Sequence, residues 1–444
     1  MFSLTVDEAA ERLGVGRARI YQLIRCGGLS AEKVAKIWLV DDQSVEARRA
    51  AAPKVGRPIK SKSTKTTVKT YTLMNRTHEV LTFCYDDTVR IFSDAGEIVD
   101  AQRAPFGLVS PRGRSVSAKA LEYWWKHRSI PRTRKGLESK LAQLGLEAAA
   151  QIPFKSLGLS LSDQYWVRPQ DCVVEWSDIN YFENDFTELS DEGDWLADVG
   201  LDSPDNTSEG ELPKKWICKG GKRVLLKGGT VLGQEPYNEV VATKLFERVL
   251  ELDEYVPYRL RAGKGDPACQ CECFVSSVEE YVPAYYVRQL MRQPNHRSDY
   301  QHYLDCCAEL GVDEVDLALS KMIVCDDILG NTDRHWRNFG IVRNVETLEC
   351  RIAPLFDTGT SLWCKATLGS FQAGDFSFAT KPFYEDANRQ LRLVNDYSWF
   401  DPDALDGFAD EVAGVLAENP ALVHRVDYVC SAVQGRIDRI VRRL

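Results

Sequence analysis

A basic stretch near the N-terminus divides the sequence into two parts. Residues 53–70, PKVGRPIKSKSTKTTVKT, contain six Lys or Arg and no acidic residue. This composition, with Gly and Pro near its start, favours a flexible linker over a packed element. We therefore expect a small head at 1–52 that folds separately from a large body after residue 70.

The head and the linker differ in charge from the body. Residues 1–70 contain 14 Lys or Arg against 7 Asp or Glu, a net charge of +7. The whole chain has a net charge of −9, so residues 71–444 carry −16. A basic head on an acidic body is typical of a nucleic-acid-binding module joined to another domain. A solvated basic tail would produce the same asymmetry.

The pattern of the head predicts a short helical domain. Thr5 and Glu8 are spaced as in a capping box, which predicts a helix that starts directly after Thr5. A second helix is expected at 16–26, and Gly27 and Gly28 would end it. A strand and a third helix are expected within 35–51. The predicted apolar faces of the first two helices consist of Ala9, Ala10, Leu13, Ile20, Leu23 and Ile24.

The body changes from strands to helices along the chain, which predicts an α+β fold. Before Tyr286, an amphipathic helix with Pro236 near its first turn separates strand-like stretches. After Tyr286, helices are expected to dominate, apart from strands in GIVRN and CRIAPLFD. The expected segments before that point are strands at 71–110, helices at 115–150, an aromatic-rich region with loops at 153–196, a polar loop at 202–213, and strands at 215–229, 256–260 and 269–282.

Neither export nor membrane insertion is expected. No apolar run reaches the roughly 18 to 20 residues that a membrane span needs, and MFSLTVDEAAERLG lacks the pattern of a signal peptide. The 13 cysteines are an odd number, which favours free thiols in a reducing cytoplasm. Cys269, Cys271 and Cys273 alternate along a predicted strand, so they form either a metal site or a row of buried thiols.

Five residues in a particular order have the chemistry of phosphoryl transfer from a nucleotide. Lys227 ends an apolar strand, Glu239 lies in the following helix, Asp333 and Asn338 share a polar loop, and Asp357 ends the next strand. Such a reaction needs a lysine for the phosphates, a carboxylate that holds this lysine, and an aspartate that receives the acceptor's proton. An asparagine and a second aspartate would hold Mg²⁺.

The same residues carry a family resemblance. GNTDRHWRNF followed by IAPLFDTGTSL resembles the HipA-like serine/threonine kinases and, more distantly, the D-R-H-x-x-N loop of phosphoinositide-3/4-kinase-like folds. SLSDQYWVRP, NYFENDF, KKWICKGGKRVLLKGG and QEPYNEVVATKL resemble further segments of that family. The resemblance spans roughly 70–440. It implies a two-lobed, protein-kinase-like body that uses ATP and Mg²⁺, with an N-terminal subdomain and kinase N-lobe at 71–285 and a helical kinase C-lobe at 286–444.

The resemblance also implies roles for individual residues. Asp333 would be the general base, Asn338 and Asp357 would bind Mg²⁺, and Lys227, held by Glu239, would contact the α- and β-phosphates. The remaining nucleotide-binding candidates are Gly210 in a phosphate-covering loop, Glu272 and Phe274 in a hinge that reads adenine, and His335. His335 is interpreted as a hydrogen-bonding residue of its loop and not as a proton carrier. Candidates for inhibitory autophosphorylation are Ser203, Thr207 and Ser208.

The head has a resemblance of its own. LTVDEAAERLGVGRARIYQLIRCGGL is similar to excisionase- and MerR-like helix-turn-helix domains, which implies a small, mainly helical winged head whose second helix enters the major groove. KIWLV would act as the wing. The residues expected to contact DNA are Arg17, Arg19, Gln22 and Arg25. In KVGRPIK, Arg57 lies in a pattern that resembles a minor-groove AT-hook, and a plain basic linker explains it equally well.

Several functions fit these patterns. The first is an ATP- and Mg²⁺-dependent serine/threonine protein kinase fused to its own DNA-binding domain, in a toxin–antitoxin-like or autoregulated arrangement. The second is a DNA-binding transcriptional regulator whose body is a nucleotide sensor or scaffold. A third keeps the kinase but transfers the phosphoryl group to a small molecule or a lipid. A separate antitoxin partner and a homodimer are compatible with each of them.

Overall fold

The computed structural model describes residues 2–25, 27–34, 37–50, 68–86, 91–109, 116–128, 141, 151–170, 172–186, 204, 212–230, 232–262 and 265–444. These residues belong to two compact units, one within Met1–Thr187 and one within Leu212–Leu444. The first unit contains the head and a separate antiparallel sheet, and the second contains the residues of the phosphoryl-transfer pattern.

The head has the short helices that its sequence predicts. The backbone N–H of Glu8 donates to Thr5 Oγ1 and that of Thr5 donates to Glu8 Oε2, so the capping box is confirmed. Gly14, at a φ of +64°, ends the first helix in a left-handed conformation that suits glycine. The elements are β1 (Phe2–Thr5), α1 (Val6–Leu13), α2 (Arg17–Arg25), β2 (Ala31–Val34), β3 (Ile37–Asp41) and α3 (Asp42–Ala50).

A small hydrophobic core holds the head together. The strands form an antiparallel sheet in the order β1–β3–β2, so the predicted wing strand β3 is the central one. Leu13 and Ile24 pack at the edge of the core. The buried core residues are Leu4, Val6, Ala9, Ala10, Ile20, Leu23, Leu29, Val40 and Val45, which include most of the predicted apolar faces.

The rest of the first unit contains an antiparallel sheet in the order β6–β5–β4–β7. Its aromatic core includes stacked Tyr71 and Phe83. Within the aromatic-rich stretch at 153–196, where loops were expected and no strand was predicted, Tyr165–Pro169 pairs with β4 and extends the sheet. The elements are β4 (Val68–Asn75), β5 (His78–Asp86), β6 (Ile91–Ile98), α4 (Ala118–Lys126), α5 (Ile152–Lys155), β7 (Tyr165–Pro169) and α6 (Trp176–Ile179).

The second unit begins with an antiparallel sheet in the order β10–β11–β9–β8. A long helix lies between β9 and β10 in the sequence and contacts β9, β10 and β11. Pro236 lies in the first turn of that helix, where its missing N–H costs no hydrogen bond. Several faces of the helix are buried, because it contacts both this sheet and the helix Phe408–Ala417. The elements are β8 (Lys214–Lys219), β9 (Lys222–Gly228), α7 (Glu235–Val249), β10 (Arg259–Leu260) and β11 (Ala268–Glu272).

Helices dominate the remainder of the second unit, as predicted, around the sheet β12–β13–β14. The buried helix α10 ends at Gly330, whose φ is +60°. Within the described ranges, each helix is too short or too polar to cross a bilayer. The elements are β12 (Glu279–Pro283), α8 (Ala284–Val287), α9 (Asp299–Glu309), α10 (Val315–Leu329), β13 (Gly340–Asn344), β14 (Cys350–Ile352), α11 (Leu368–Gln372), α12 (Ala387–Leu391), α13 (Phe408–Ala417) and α14 (Val426–Val441).

Candidate active site

A buried lysine lies at the centre of the candidate site. Lys227 is the penultimate residue of β9, and Glu239 lies in α7, which follows β9 in the chain. The Lys227 Nζ donates to Glu239 Oε1 at 2.9 Å and to Tyr258 Oη at 3.1 Å. The side chains of Lys227 and Glu239 are only 4% and 2% exposed, so neither charge is compensated by water. The strand–helix pair therefore holds the amine in one position.

Asp357 is the third partner of the same amine. Its Oδ1 accepts a hydrogen bond from Lys227 Nζ at 2.6 Å, across 130 positions of sequence. Burial works to raise the pKa of Asp357, but the charges of Lys227 and Lys214 outweigh it and hold that pKa well below its usual range. Burial also opposes the charge on Lys227, and Asp357 and Glu239 nevertheless raise its pKa well above 10.5. Both groups are therefore charged at neutral pH.

The backbone around Asp357 differs from the prediction that this residue ends a strand. β14 ends at Ile352, and residues 353–357 run on as an irregular segment. Within this segment, Leu355 forms an isolated parallel bridge to Tyr255, outside the β12–β14 sheet. Asp357 itself has a φ of +58°, an uncommon conformation for a residue with a Cβ. The site thus rests on a local distortion that strand periodicity does not encode.

Glu239 also fixes the residue that follows Asp357. Its Oε2 accepts hydrogen bonds from the Thr358 backbone N–H at 2.9 Å and from the Thr358 hydroxyl at 2.8 Å. One carboxylate therefore binds the lysine through one oxygen and positions Asp357 through the other. A side chain with a single acceptor oxygen could not fill both roles.

The polar loop after α10 is ordered by its own hydrogen bonds. The Asp333 N–H donates to Asn331 Oδ1 at 2.9 Å, and Asn338 Nδ2 donates to the Asp333 carbonyl at 2.9 Å. The Nδ1 atom of His335 accepts the Arg337 N–H at 3.3 Å, which agrees with its interpretation as a hydrogen-bonding residue of the loop. Asp333 and Asn338 are thereby held on the same side of a tight turn.

Arg334 connects this loop to the segment that carries Asp357. Its side chain is fully buried, and its Nε and Nη2 atoms donate to the carboxylate of Asp326 at 2.9 and 3.0 Å. Its Nη1 donates to the carbonyls of Asn338 at 2.7 Å and Phe356 at 2.6 Å. The sequence-based reasoning missed this residue. The sequence feature that could have identified it is an arginine between two apolar runs, eight residues after an aspartate. An arginine buried by such runs needs a carboxylate partner.

The structure thus brings the predicted residues together in two groups. Lys227, Glu239 and Asp357 are in direct contact, and Asp333 and Asn338 contact each other. Arg334 joins the groups through the neighbouring carbonyls. The Asp333 carboxylate does not pair with the first group. It accepts a hydrogen bond from Lys381 Nζ at 3.0 Å.

Asn338 and Asp357 have the donor atoms that Mg²⁺ prefers. Because Asn338 Nδ2 is occupied by the Asp333 carbonyl, the side-chain oxygen of Asn338 is the atom left for a metal. Lys227 takes Oδ1 of Asp357, and within the described residues no donor contacts Oδ2. One carboxylate and one amide fit an ion that keeps several waters and takes other oxygens from phosphates. These residues fit Mg²⁺, and their role as its ligands stays a prediction.

The predicted hinge lies beside the site. The ring of Phe274 packs 5.2 Å from that of Phe356, the residue before Asp357. Glu272 ends β11, and its exposed carboxylate pairs with Lys222 Nζ at 2.7 Å. The Glu272 side chain therefore has a surface partner, and any contact with adenine would have to come from the backbone. Neither hinge role is tested by these contacts.

The cysteines of β11 pack as core residues. Cys269 and Cys271 are buried against Val256 and Tyr258. Burial raises the pKa of Cys271 to about 12, so its thiol stays protonated at neutral pH. The described ranges contain no group of three or more His, Cys, Asp or Glu side chains placed to hold a metal ion. Of the two interpretations of this row, the structure supports buried thiols.

Some predicted site residues lie outside the described residues. They are Ser203, Thr207, Ser208 and Gly210 of the phosphate-covering loop, and Arg57 of the linker. In the head, Arg17 is exposed and its Nε lies 3.0 Å from Asp7 Oδ1. Arg19, Gln22 and Arg25 lie on the same helix α2, but their side chains are not among those described.

Comparison with known proteins identifies the head. Residues 3–51 match a family described as a helix-turn-helix domain. No curated protein sequence matches the chain. The crystal structure of the proinflammatory kinase CtkA of Helicobacter pylori is similar over 51% of this chain and 93% of that chain, with 17% identity and a TM-score of 0.37. A likeness of that degree establishes neither a common fold nor a common activity. Residues 3–51 are therefore a helix-turn-helix domain, as predicted.

Proposed function

We propose that the body is an ATP- and Mg²⁺-dependent phosphotransferase, a serine/threonine protein kinase of the HipA-like type, joined to its own DNA-binding domain. The observation that carries the proposal is the contact of Lys227 with both Glu239 and Asp357. Phosphoryl transfer needs a lysine held by a helix carboxylate beside a metal-binding aspartate. A structural ion pair would need only one carboxylate, and a second one at 2.6 Å leaves a negative group available to a cation.

In this proposal each residue acts at a named atom. Lys227 Nζ binds phosphate oxygens, and Glu239 positions the amine. Asn338 Oδ1 and the Asp357 carboxylate hold Mg²⁺, which neutralises charge on the phosphates when bound. Asp333 lies on the neighbouring loop with a carboxylate that is 39% exposed, so an acceptor from solution can reach it.

The chemical step follows from these positions. The acceptor hydroxyl oxygen forms a bond to the γ-phosphorus, and the bond from that phosphorus to the β–γ bridging oxygen breaks. The hydroxyl proton passes to the Asp333 carboxylate, and ADP is the leaving group. The hydrogen bond from the Asp333 N–H to Asn331 and the buried Arg334 keep the loop in place during the step. A serine or threonine of a protein is the proposed acceptor.

Purified chain incubated with MgATP should gain mass corresponding to one or more phosphoryl groups, detected by intact mass spectrometry and located by peptide mapping. Modification within 203–208 would support the inhibitory autophosphorylation that the resemblance implies. Incubation with MgADP is the control. If the chain binds ATP but transfers nothing to itself, to protein or to small acceptors, it is a nucleotide sensor. If it does not bind ATP, the assignment of the site is wrong.

The helix-turn-helix domain favours a second candidate, a transcriptional regulator whose body senses a nucleotide. In the kinase proposal the same domain replaces a separate DNA-binding antitoxin, and a homodimer would place two heads on paired half-sites. Both candidates require the head to bind DNA, so DNA binding alone does not separate them. Transfer from MgATP does.

Replacing Arg17 by alanine should weaken the binding of the full chain to duplex DNA. Arg17 is exposed near the start of α2, the helix expected to enter the major groove. Loss of one phosphate contact should reduce the slope of log affinity against log salt by about one. Fluorescence anisotropy over a salt series measures this slope. Arg442→Ala, which removes the same charge outside the helix-turn-helix domain, should leave it unchanged, and equal effects of both variants would contradict the role of Arg17.

A further inference from the structure

An exposed lysine contacts the carboxylate that the proposed function makes the general base. Lys381 Nζ lies 3.0 Å from Asp333 Oδ1, and the two side chains are 46% and 39% exposed. A surface pair of this kind adds little to stability, because water already solvates both groups. The position of the pair matters for the proposed reaction. It puts the ammonium group of Lys381 where an acceptor hydroxyl would meet a phosphoryl group.

The backbone that carries Lys381 is held far more firmly than its side chain. Gln390 is buried, its Nε2 donates to the Lys381 carbonyl, and its Oε1 accepts the N–H groups of Phe383 at 3.2 Å and Tyr384 at 2.9 Å. Thr380, also buried, donates from its hydroxyl to the Tyr384 carbonyl at 2.7 Å. Two buried polar side chains therefore fix the turn around a lysine whose own side chain stays in solvent.

An aromatic contact docks this turn directly onto the polar loop. The ring of Phe383 lies 5.3 Å from that of Trp336 and 5.0 Å from that of Tyr300, in edge-to-face arrangements. Trp336 is three residues after Asp333 in the same loop. The position of Lys381 relative to Asp333 is thus set by packing, and the ion pair itself is not needed to hold the two segments together.

We propose that Lys381 is a further catalytic residue, whose ammonium group contacts the γ-phosphoryl group during transfer. This inference rests on the proposed function. A base must lie about 2.6–3.2 Å from the acceptor oxygen, and that oxygen lies about 3–3.5 Å from the phosphorus before attack. A cation 3.0 Å from the base is therefore within reach of the phosphoryl oxygens.

The flexible stem of lysine allows the ammonium to change partners. Before ATP and the acceptor bind, it pairs with Asp333. Once phosphoryl oxygens occupy the site, their charge attracts the ammonium away from Asp333. The carboxylate is then able to accept the hydroxyl proton, and Lys381 neutralises charge that spreads over the phosphoryl oxygens in the transition state.

The test compares Lys381→Met and Lys381→Arg in the full chain. The measurement is the loss of radiolabelled γ-phosphate from MgATP, summed over phosphoprotein and free phosphate. Lys381→Met should lower kcat by on the order of 10²-fold, with KM for MgATP unchanged within a factor of about three. Lys381→Arg should restore most of the rate, because it keeps the charge. Lys365→Met, which removes an exposed lysine of the same unit, should match wild type.

Several results would overturn the inference. A Lys381→Met variant as fast as wild type, or faster, would show that the lysine only shields the base. Equal losses in the Met and Arg variants, accompanied by a lower thermal unfolding midpoint, would indicate a structural role. If wild type transfers phosphate and only the inference fails, the proposed function stands. If wild type releases no γ-phosphate from MgATP, the inference and the proposed function are both wrong.

Discussion

Replacing Asp333 by alanine is expected to slow phosphoryl transfer by about 10²- to 10⁴-fold, the usual contribution of a general base. MgATP binding should stay close to that of wild type, because Asp333 does not contact Lys227 or Asp357. The fold should also persist. The Asp333 side chain is 39% exposed, and its loop is held by backbone groups and by Arg334, none of which the substitution removes.

The companion variant Asp357→Ala separates catalysis from nucleotide binding. It should also lose transfer, and in addition bind MgATP more weakly, because it removes a proposed metal ligand and the partner of Lys227. Asp375→Ala removes an exposed carboxylate whose hydrogen bonds within the described residues come from Ser377, and it should behave as wild type. Isothermal titration with MgATP and a radiolabel transfer assay measure the two effects. Wild-type labelling by both Asp333→Ala and Asp357→Ala would end the kinase assignment.

Replacing Arg334 by leucine should destabilise the second unit by about 3–5 kcal/mol, the cost of leaving a buried charge without its partner. The guanidinium is fully buried, and four of its hydrogen bonds go to the Asp326 carboxylate and the carbonyls of Asn338 and Phe356. Removal would leave the Asp326 carboxylate without its buried cation, with Asn331 Nδ2 still donating to it, and would take a donor away from both carbonyls. Transfer activity should fall as well, because Asp333 and Asp357 would no longer be held relative to each other.

The double variant Arg334→Leu with Asp326→Leu tests whether the Asp326 carboxylate causes the loss of stability in Arg334→Leu. If the unpaired carboxylate dominates the loss, removing it as well should recover part of the unfolding free energy, since a buried pair is often replaceable by apolar residues. Activity should not recover, because the links to the Asn338 and Phe356 carbonyls stay broken. Urea unfolding followed by circular dichroism gives the free energies. A single variant as stable as wild type would mean that Arg334 does not anchor the loop.

Local patterns explain why much of the architecture was predictable. The capping box at Thr5 and Glu8, the proline in the first turn of α7, and the buried run of α10 are each encoded within a few residues. The contact between Lys227 and Glu239 was also predictable. A strand, a short turn and a helix leave few ways to place two residues that are twelve positions apart.

Other features were not readable from local patterns. β7 was missed because a five-residue strand shows its nature only when β4 is beside it. Asp357 was expected to end a strand, whereas the strand ends at Ile352 and the irregular segment before Asp357 bridges from Leu355 to Tyr255. Periodicity describes the faces of regular elements and contains no information about an irregular segment whose hydrogen bonds go to a distant part of the chain.

The sequence by itself determined which chemical groups the site contains. Short-range propensities of strands, helices and loops also determined which kind of element carries Lys227, Glu239, Asp333 and Asn338. Only the tertiary structure decided how they meet. Three contacts join residues that are far apart in the sequence. They are the hydrogen bond from Lys227 to Asp357, that from the buried Arg334 to the Phe356 carbonyl, and that from Lys381 to Asp333. The physical reason is that the buried charges of Lys227 and Arg334 must find partners. Which partner is within reach, for the exposed Lys381 as well, depends on packing of the whole unit.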